Sequence, residues 1–428
     1  MKDRRSRRKA RPRPQGVSAG APAVGEEFEV EVERILPGGL GLAHADGHTL
    51  MVALSAPGDR ARVCVRQVRG RVGFASVEEL LAPGPARVTP PCPYFGRCGG
   101  CDFQQLTYEA QLAAKVEIVR DSLRRVARLE PPGVIPITPS PDPWRYRSRA
   151  QWQYDHDSGA FGYFERGTHR VCDVVECPVV TPPLQATLSA LRDAVRGGPP
   201  SAGVAEFHAV AGDEGVGLAP PFEGPHAREQ SRTVAGERYS FDAECFFQIN
   251  HMLLDALVRE GLRGASGHTA LDLYCGVGLF TLPLARRFTR VWGVEGNAHA
   301  ARFARRNLAD AGLDNARVEA APVGQWLAGR VSEPFAADFV LLDPPRAGAD
   351  APPLASLIAL RPTRISYVSC DPATLARDLR ALAESGYRLT SVSAFDMFPQ
   401  THHVETVVHL RRADADEAGP TAAAENLS

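Results

Sequence analysis

The chain has 428 residues, more than one ordinary hydrophobic core accommodates, so two or three domains are expected. Hydrophobic residues at 44% and charged residues at 23% exclude a disordered or fibrous chain and describe a soluble globular one. No apolar run approaches a membrane span and no signal-peptide core follows the basic start, so a cytoplasmic protein without membrane attachment is expected.

The formal net charge of −1 averages over one local imbalance. Lys2, Arg4, Arg5, Arg7, Arg8, Lys9, Arg11 and Arg13 face only Asp3 at the start. This reads as a disordered basic arm over residues 1–24, whose commonest partner is nucleic acid; a solubilising tail is the alternative. Residues 25–83 then read as a small all-β module. Phe28, Val30 and Val32 alternate with Glu27, Glu29 and Glu31, Gly38–Gly41 turns the chain, and Leu50–Val52 gives a second strand. Arg60, Arg62, Arg66, Arg69 and Arg71 would put a basic face on an OB-like barrel suited to nucleic acid, unless that face is merely solvated.

Residues 84–240 form a central region. Nine cysteines in an intracellular chain point to metal or catalytic use rather than disulfides, and three of them cluster as Cys92, Cys98 and Cys101. Gly99 and Gly100 let the backbone fold inward between the last two. Three thiolates completed by one distant cysteine would hold an iron–sulfur cluster. Cys172 and Cys177 are the distal candidates, and Cys177 is preferred because Pro178 follows it as Pro93 follows Cys92. A four-cysteine zinc site is the rival, although the wide first spacing favours iron. Tyr108 to Leu129 reads as one helix with Leu112, Val116, Val119, Leu123 and Val126 on its apolar stripe and Lys115 on a solvent face. A β-rich stretch follows. In it Trp144, Tyr146, Trp152 and Tyr154 interleave with Arg145, Arg147 and Arg149, either as base-stacking platforms for RNA or as core.

Residues 241–412 alternate strand and helix, an α/β pattern, and residues 413–428 read as a disordered tail. The strand Ala270–Tyr274 runs into Cys275-Gly276-Val277-Gly278, and the next strand ends at Glu295, where ribose hydroxyls are held in such folds. Thr281 replaces the third glycine of a pyrophosphate fingerprint, which disfavours NAD and suits S-adenosylmethionine. A fourth strand ends at Asp343. Ile365, Tyr367 and Val368 form a buried strand, Ala373–Glu384 is a helix, and Asp371 with Pro372 caps it. Cys370 therefore stands at a helix mouth, where the dipole favours a thiolate; a small core cysteine is the alternative. Asp272, Glu295, Asp343 and Cys370 all lie near strand ends and should converge on one crevice. Glu405 interrupts an apolar strand, either facing outward or as a base whose acidity burial weakens.

Cys98-Gly99-Gly100-Cys101, Asp272-Leu273-Tyr274-Cys275-Gly276, Asp343-Pro344-Pro345-Arg346, Ser369-Cys370-Asp371-Pro372 and Thr401-His402-His403-Val404-Glu405 occur in this order. With them, residues 25 to about 410 resemble the RNA (uracil-5-)-methyltransferase family, most closely the branch acting on 23S ribosomal RNA. The resemblance implies an N-terminal TRAM barrel, a central domain with a [4Fe–4S] cluster and a C-terminal Rossmann-like methyltransferase domain; the tRNA branch typically lacks the first two. It further implies that Cys92, Cys98, Cys101 and Cys177 hold the cluster. Gln248, Tyr274, Glu295 and Asp343 would contact S-adenosylmethionine, Cys370 would be the nucleophile and Glu405 the base. Leu279 departs from relatives that carry a polar residue there and is not counted as a ligand. The expected partner is a single-stranded or unfolded segment of 23S ribosomal RNA, met by a monomer. The alternatives are a tRNA uracil-5-methyltransferase and an inactive ribosomal-RNA-binding assembly factor. A radical S-adenosylmethionine enzyme is disfavoured because its cysteine spacing is absent.

Overall fold

The computed structural model describes residues 20–198, 200–201, 205–221, 228–331 and 336–415. Most of the expected arm at 1–24 and of the expected tail at 413–428 lies outside the described residues; within the tail, Ala413–Ala415 form a single 3-10 turn. The chain divides into two compact units. One comprises the residues up to Arg34 with Leu40–Pro85, the other Ile35–Gly39 with Ala86 onward.

The first unit is a closed barrel of β1 (Glu27–Ile35), β2 (Gly41–Ala45), β3 (His48–Ala53), β4 (Arg60–Arg69) and β5 (Val72–Ala82), in the order β1-β2-β3-β5-β4. Phe28, Val30 and Val32 point inward while Glu27, Glu29 and Glu31 stay exposed, the period-2 pattern of a strand with one buried face. The arginines of β4 do not make a basic face. Register sets Arg60 against Glu31 and Arg62 against Glu29, and Arg62 and Arg66 are ion-paired with Glu79 and Glu78 on β5. A sequence reading counts the arginines of one strand but not the carboxylates that pairing brings beside them.

The second unit begins with the cysteine loop and α1 (Tyr108–Ser122), which Thr107 caps by accepting from the Ala110 amide at 3.3 Å. The helix runs on as a π turn over Leu123–Ala127 and stops where Arg128 turns left-handed. Its buried face carries Gln111, Lys115, Ile118, Val119, Ser122 and Leu123; of the expected stripe Val119 and Leu123 are buried, Leu112 and Val116 are half-buried, and Val126 is exposed. Lys115, expected in solvent, is fully buried and ion-paired with Asp396. Beyond β6 (Ile137–Thr138) lie β7 (Arg149–Tyr154), β8 (Phe161–Phe164), β9 (Val171–Asp173), α2 (Pro182–Gly197), β10 (Glu206–Ala211) and β11 (Val216–Ala219). Their sheet, ordered β11-β10-β7-β8-β9, packs Trp152, Phe161 and Phe207 against Leu184, Leu188 and Leu191 of α2. Tyr146, Trp152 and Tyr154 are therefore core rather than stacking platforms. A hairpin of β12 (Glu229–Val234) and β13 (Glu237–Asp242) follows.

The remaining elements are α3 (Leu254–Gly261), β14 (Gly267–Leu273), α4 (Thr281–Ala285), β15 (Phe288–Glu295), α5 (Ala298–Asp310), β16 (Ala316–Ala320), α6 (Val323–Arg330), β17 (Phe339–Leu342), α7 (Ala351–Leu360), β18 (Arg364–Ser369), α8 (Pro372–Glu384), β19 (Tyr387–Phe395) and β20 (Glu405–Arg412). They build one sheet in the order β16-β15-β14-β17-β18-β20-β19-β6. The strands from β16 to β18 are mutually parallel, and β20 runs antiparallel between β18 and β19. Helices cover both faces, so strands must be apolar on both sides. Phe339 and Leu341 of β17 enter one core while Val340 and Leu342 enter the other. This is the Rossmann-like α/β fold expected for residues 241–412. Strand order reverses at β14, which places the binding crevice at its carboxyl end.

Candidate active site

A cavity of about 1150 Å³ opens at those strand ends. Gln248, Tyr274, Glu295, Asp343, Cys370 and Glu405 all line it. Each arrives on a different strand end or loop. Tyr274 leaves β14 with a φ of +64°, a costly conformation for a bulky residue that over-determined packing must hold. Glu295 ends β15 and accepts the backbone amides of Gly276 at 2.8 Å and Asn297 at 2.7 Å, which closes the glycine loop over the strand end. Asp343 follows β17 and accepts from the Gln248 amide at 3.3 Å.

Asp272 does not join them. It is fully buried on β14 and accepts from the Thr281 hydroxyl at 2.5 Å, so Thr281 braces the strand beneath the crevice. Burial pushes the Asp272 carboxyl up to about 8.

Cys370 lies between β18 and α8, where Asp371 accepts the amides of Ala373 at 3.0 Å and Thr374 at 2.9 Å as an N-cap. The helix mouth alone does not set its charge. Burial pushes the Cys370 thiol up to about 12, and neighbouring Glu405 and Asp343 push the same way against Arg346. The thiolate expected from the helix dipole is thus opposed by desolvation and by two carboxylates. Glu405 is 1% exposed, and its Oε1 has no hydrogen-bond partner among the described residues. Burial, then Asp343, raises its carboxyl well above the ordinary range, with Arg346 opposing. Asp343 is raised to about 7 by burial, offset in part by Gln248.

Arg346, which ends the Asp343-Pro344-Pro345-Arg346 motif, was legible in the sequence as a partner of Asp343; other lining groups were not. Arg346 and Phe398 sit on the cavity wall, and Phe246 stands there 63% exposed. Arg147 and Arg149, singled out only as parts of an aromatic-basic run, also line it. The signal for Phe246 was one of two consecutive aromatics between strands, too weak to read alone.

A second, small cavity is lined by Cys92, Cys98, Cys101 and Cys177 together with Gln104 and Arg147. Cys172, the other distal candidate, is buried in the apolar core of the five-stranded sheet and takes the Arg97 Nε–H at 3.2 Å. Four thiols around one small cavity are the donor set of a thiolate-held metal centre, and the unpartnered Gln104 Oε1 leaves a polar atom at the same wall. Burial pushes Cys98 up to about 11 and Cys101 to about 12, so these thiols need a cation before they ionise. Asp242, Cys245 and His299 place three donor atoms together as well, but Asp242 is already occupied by two backbone amides and the His299 ring.

Comparison with known proteins bears on this arrangement. The profile of the family described as tRNA (Uracil-5-)-methyltransferase matches residues 229–413. The 23S rRNA (uracil(1939)-C(5))-methyltransferase of Alkalilimnicola ehrlichii is 34% identical over 91% of this chain and 98% of its own length. That of Methylococcus capsulatus is 32% identical over 91% and 98%. Among solved structures, the tRNA (uracil-54, C5)-methyltransferase of Pyrococcus abyssi in complex with S-adenosyl-L-homocysteine superposes with a TM-score of 0.70 at 26% identity, covering 90% of this chain and 100% of that one. The uncovered tenth is shorter than the 25–83 barrel, so at least part of the barrel is shared with a tRNA enzyme. A barrel therefore does not by itself separate ribosomal from transfer RNA substrates.

Proposed function

The chain belongs to the RNA (uracil-5-)-methyltransferase family, and from that membership we propose that it methylates a uridine of 23S ribosomal RNA through Cys370 and Glu405. Transfer of a methyl group from S-adenosylmethionine to carbon 5 of uridine is the chemistry of the family. The observation that carries the residue roles is the single cavity at the sheet's reversal point, where all six candidate side chains meet.

Carbon 5 of uracil is too poor a nucleophile to attack the sulfonium methyl directly. Addition of the Cys370 sulfur to carbon 6 pushes electrons toward the carbon 4 oxygen, and the resulting enolate makes carbon 5 nucleophilic. Carbon 5 takes the methyl group as the carbon–sulfonium bond breaks. Glu405 then removes the carbon 5 proton, the ring double bond re-forms, and the Cys370 sulfur leaves. Gln248, Tyr274, Glu295 and Asp343 would hold the methyl donor. Asp343 also supplies a negative charge that a bound sulfonium would favour in its ionised form. The target base must leave its stack to enter such a cavity, and Arg147, Arg149 and Phe246 on the wall offer it cations and an aromatic face.

Cys92, Cys98, Cys101 and Cys177 would hold a [4Fe–4S] cluster. Methyl transfer is redox-neutral, so the role read here is to shape the RNA-binding side of the unit. The 25–83 barrel is read as a TRAM-type RNA-binding module, with affinity that owes little to the paired arginines of β4. Transfer RNA is the second reading, favoured by the structural likeness to the Pyrococcus abyssi enzyme. Incubation with labelled S-adenosylmethionine and either 23S ribosomal RNA or tRNA, followed by mapping of 5-methyluridine, decides between them. Label on tRNA alone would overturn the ribosomal assignment.

A further inference from the structure

The stretch Asp396–Val404 joins β19 to β20 and delivers Glu405 to the cavity. Its anchors come from the cysteine-bearing part of the same unit. Lys115 pairs with Asp396 and donates to the Phe398 carbonyl at 3.0 Å. The Tyr146 hydroxyl donates to the Pro399 carbonyl at 2.9 Å. The Gln400 carbonyl accepts the backbone amides of Asp102 and Phe103, each at 3.0 Å. The Gln111 and Gln400 side chain and backbone exchange two further bonds at 3.0 Å. Asp102 accepts the His402 amide at 2.8 Å, and its other oxygen meets the His402 ring. Gln400 is held at a φ of +66°, which a residue with a Cβ adopts only under constraint.

Nothing comparable holds Glu405 by its own carboxyl group. Its Oε1 has no partner among the described residues, and burial and Asp343 disfavour its ionised form while Arg346 favours it. Its position is inherited from the backbone that precedes it. Asp102 directly follows Cys101, one of the four cysteines around the small cavity. We infer that Asp102, acting through His402, is a positioning residue for Glu405: it fixes the entry to β20 so that the carboxylate meets the proton on carbon 5. This rests on the roles given to Cys370 and Glu405 above.

The inference separates two halves of the reaction. Addition of sulfur to carbon 6 and methyl transfer to carbon 5 do not use Glu405. Elimination does: the proton passes to the carboxylate, the carbon–hydrogen pair becomes the carbon 5–carbon 6 double bond, and the carbon 6–sulfur pair departs on Cys370. A displaced Glu405 leaves the first half intact and stalls the second, with a methylated base still bound to sulfur.

The test uses the full chain carrying its metal, in wild-type form and as Asp102→Asn and His402→Ala, with an RNA that the wild type methylates and with its 5-fluorouridine counterpart. Both variants are expected to form the 5-fluorouridine adduct as the wild type does. On ordinary RNA they turn over at least tenfold more slowly and accumulate a methylated, denaturation-resistant protein–RNA complex, with iron per chain and melting temperature unchanged. Unchanged turnover overturns the inference. So does slower turnover without that complex, including a loss caused by missing iron or by unfolding. A wild type that forms no fluorouridine adduct at Cys370 overturns the assignment of the nucleophile instead.

Discussion

Cys370 and Glu405 stand opposite each other because β18 and β20 are antiparallel neighbours in a fixed register. Ser369, the last residue of β18, pairs with Thr406, so one step further along the register Cys370 comes beside Glu405, the first residue of β20. Burial makes both resist ionisation, Glu405 adds to that effect at the thiol, and Asp343 adds to it at Glu405. The pair as it stands holds its protons. A cation entering the cavity relieves that constraint, which fits a site whose donor carries a sulfonium.

Substitution of each partner should therefore give distinct phenotypes. Cys370→Ala removes the attacking atom, so methyl transfer is expected to fall at least about a thousandfold, with no covalent complex on 5-fluorouridine RNA. Glu405→Gln keeps the shape and loses the base. Turnover should fall by about a hundredfold or more while a covalent complex builds up on unmodified RNA. Gel electrophoresis under denaturing conditions reads both. A complex formed by Cys370→Ala would remove this residue from the mechanism.

Affinity for S-adenosylmethionine should depend on pH through Asp343. Burial raises its carboxyl to about 7, so below that pH it is neutral and above it anionic. The cationic donor favours the anion. Binding should tighten as pH rises from 6 to 8, by up to about tenfold per unit below the shifted value, and then level off. Asp343→Asn should bind weakly and without that slope. Calorimetric titration across the range measures it, and a flat wild-type profile would remove Asp343 from donor binding.

The cysteine cavity makes a compositional prediction. Protein purified without oxygen should contain iron and inorganic sulfide, about four of each per chain if the cluster is cubic. Cys177→Ser should lose them, because Cys177 lines the cavity; Cys172→Ser should keep them, because its sulfur lies in the apolar core beside Arg97. Elemental analysis showing one zinc and no iron would overturn the cluster reading, as would retention of iron by Cys177→Ser.

What the sequence made legible follows from how local each signal was. The strand, cap and helix around Cys370 occupy contiguous residues, and Asp371, Pro372 and the period of Leu375, Leu379 and Leu382 announce them. The β14 loop and the carboxylate of Glu295 belong to one strand–loop–strand unit. The charge state of Cys370 was not legible, because the carboxylates that oppose its thiolate arrive from β17 and β20. The basic face of β4 failed for the same reason, since register with β1 supplied Glu29 and Glu31, and β5 brought Glu78 and Glu79 into ion pairs with Arg66 and Arg62. Trp152 and Tyr154 alternated with polar residues in a way that suits either an RNA platform or a half-buried strand, and only the packing of α2 decided for the core.

Lys115 was the least legible residue of all, and it makes the last prediction. A lysine among apolar residues of a helix reads as solvent-facing, yet here its ammonium is paired with Asp396 at zero exposure for both side chains. Burial lowers the lysine against the pull of the carboxylate, so the charged pair is maintained only by its partners. Removing one member leaves the other charge buried. Lys115→Met should cost about 3–5 kcal/mol of stability, while Lys115→Met combined with Asp396→Leu should recover much of that loss, because desolvation of both charges is avoided. Denaturant unfolding monitored by fluorescence compares the three chains. If the double variant is no more stable than Lys115→Met, the pair is not what stabilises this contact, and the anchorage of the Glu405 segment must be sought in Gln111 and Asp102.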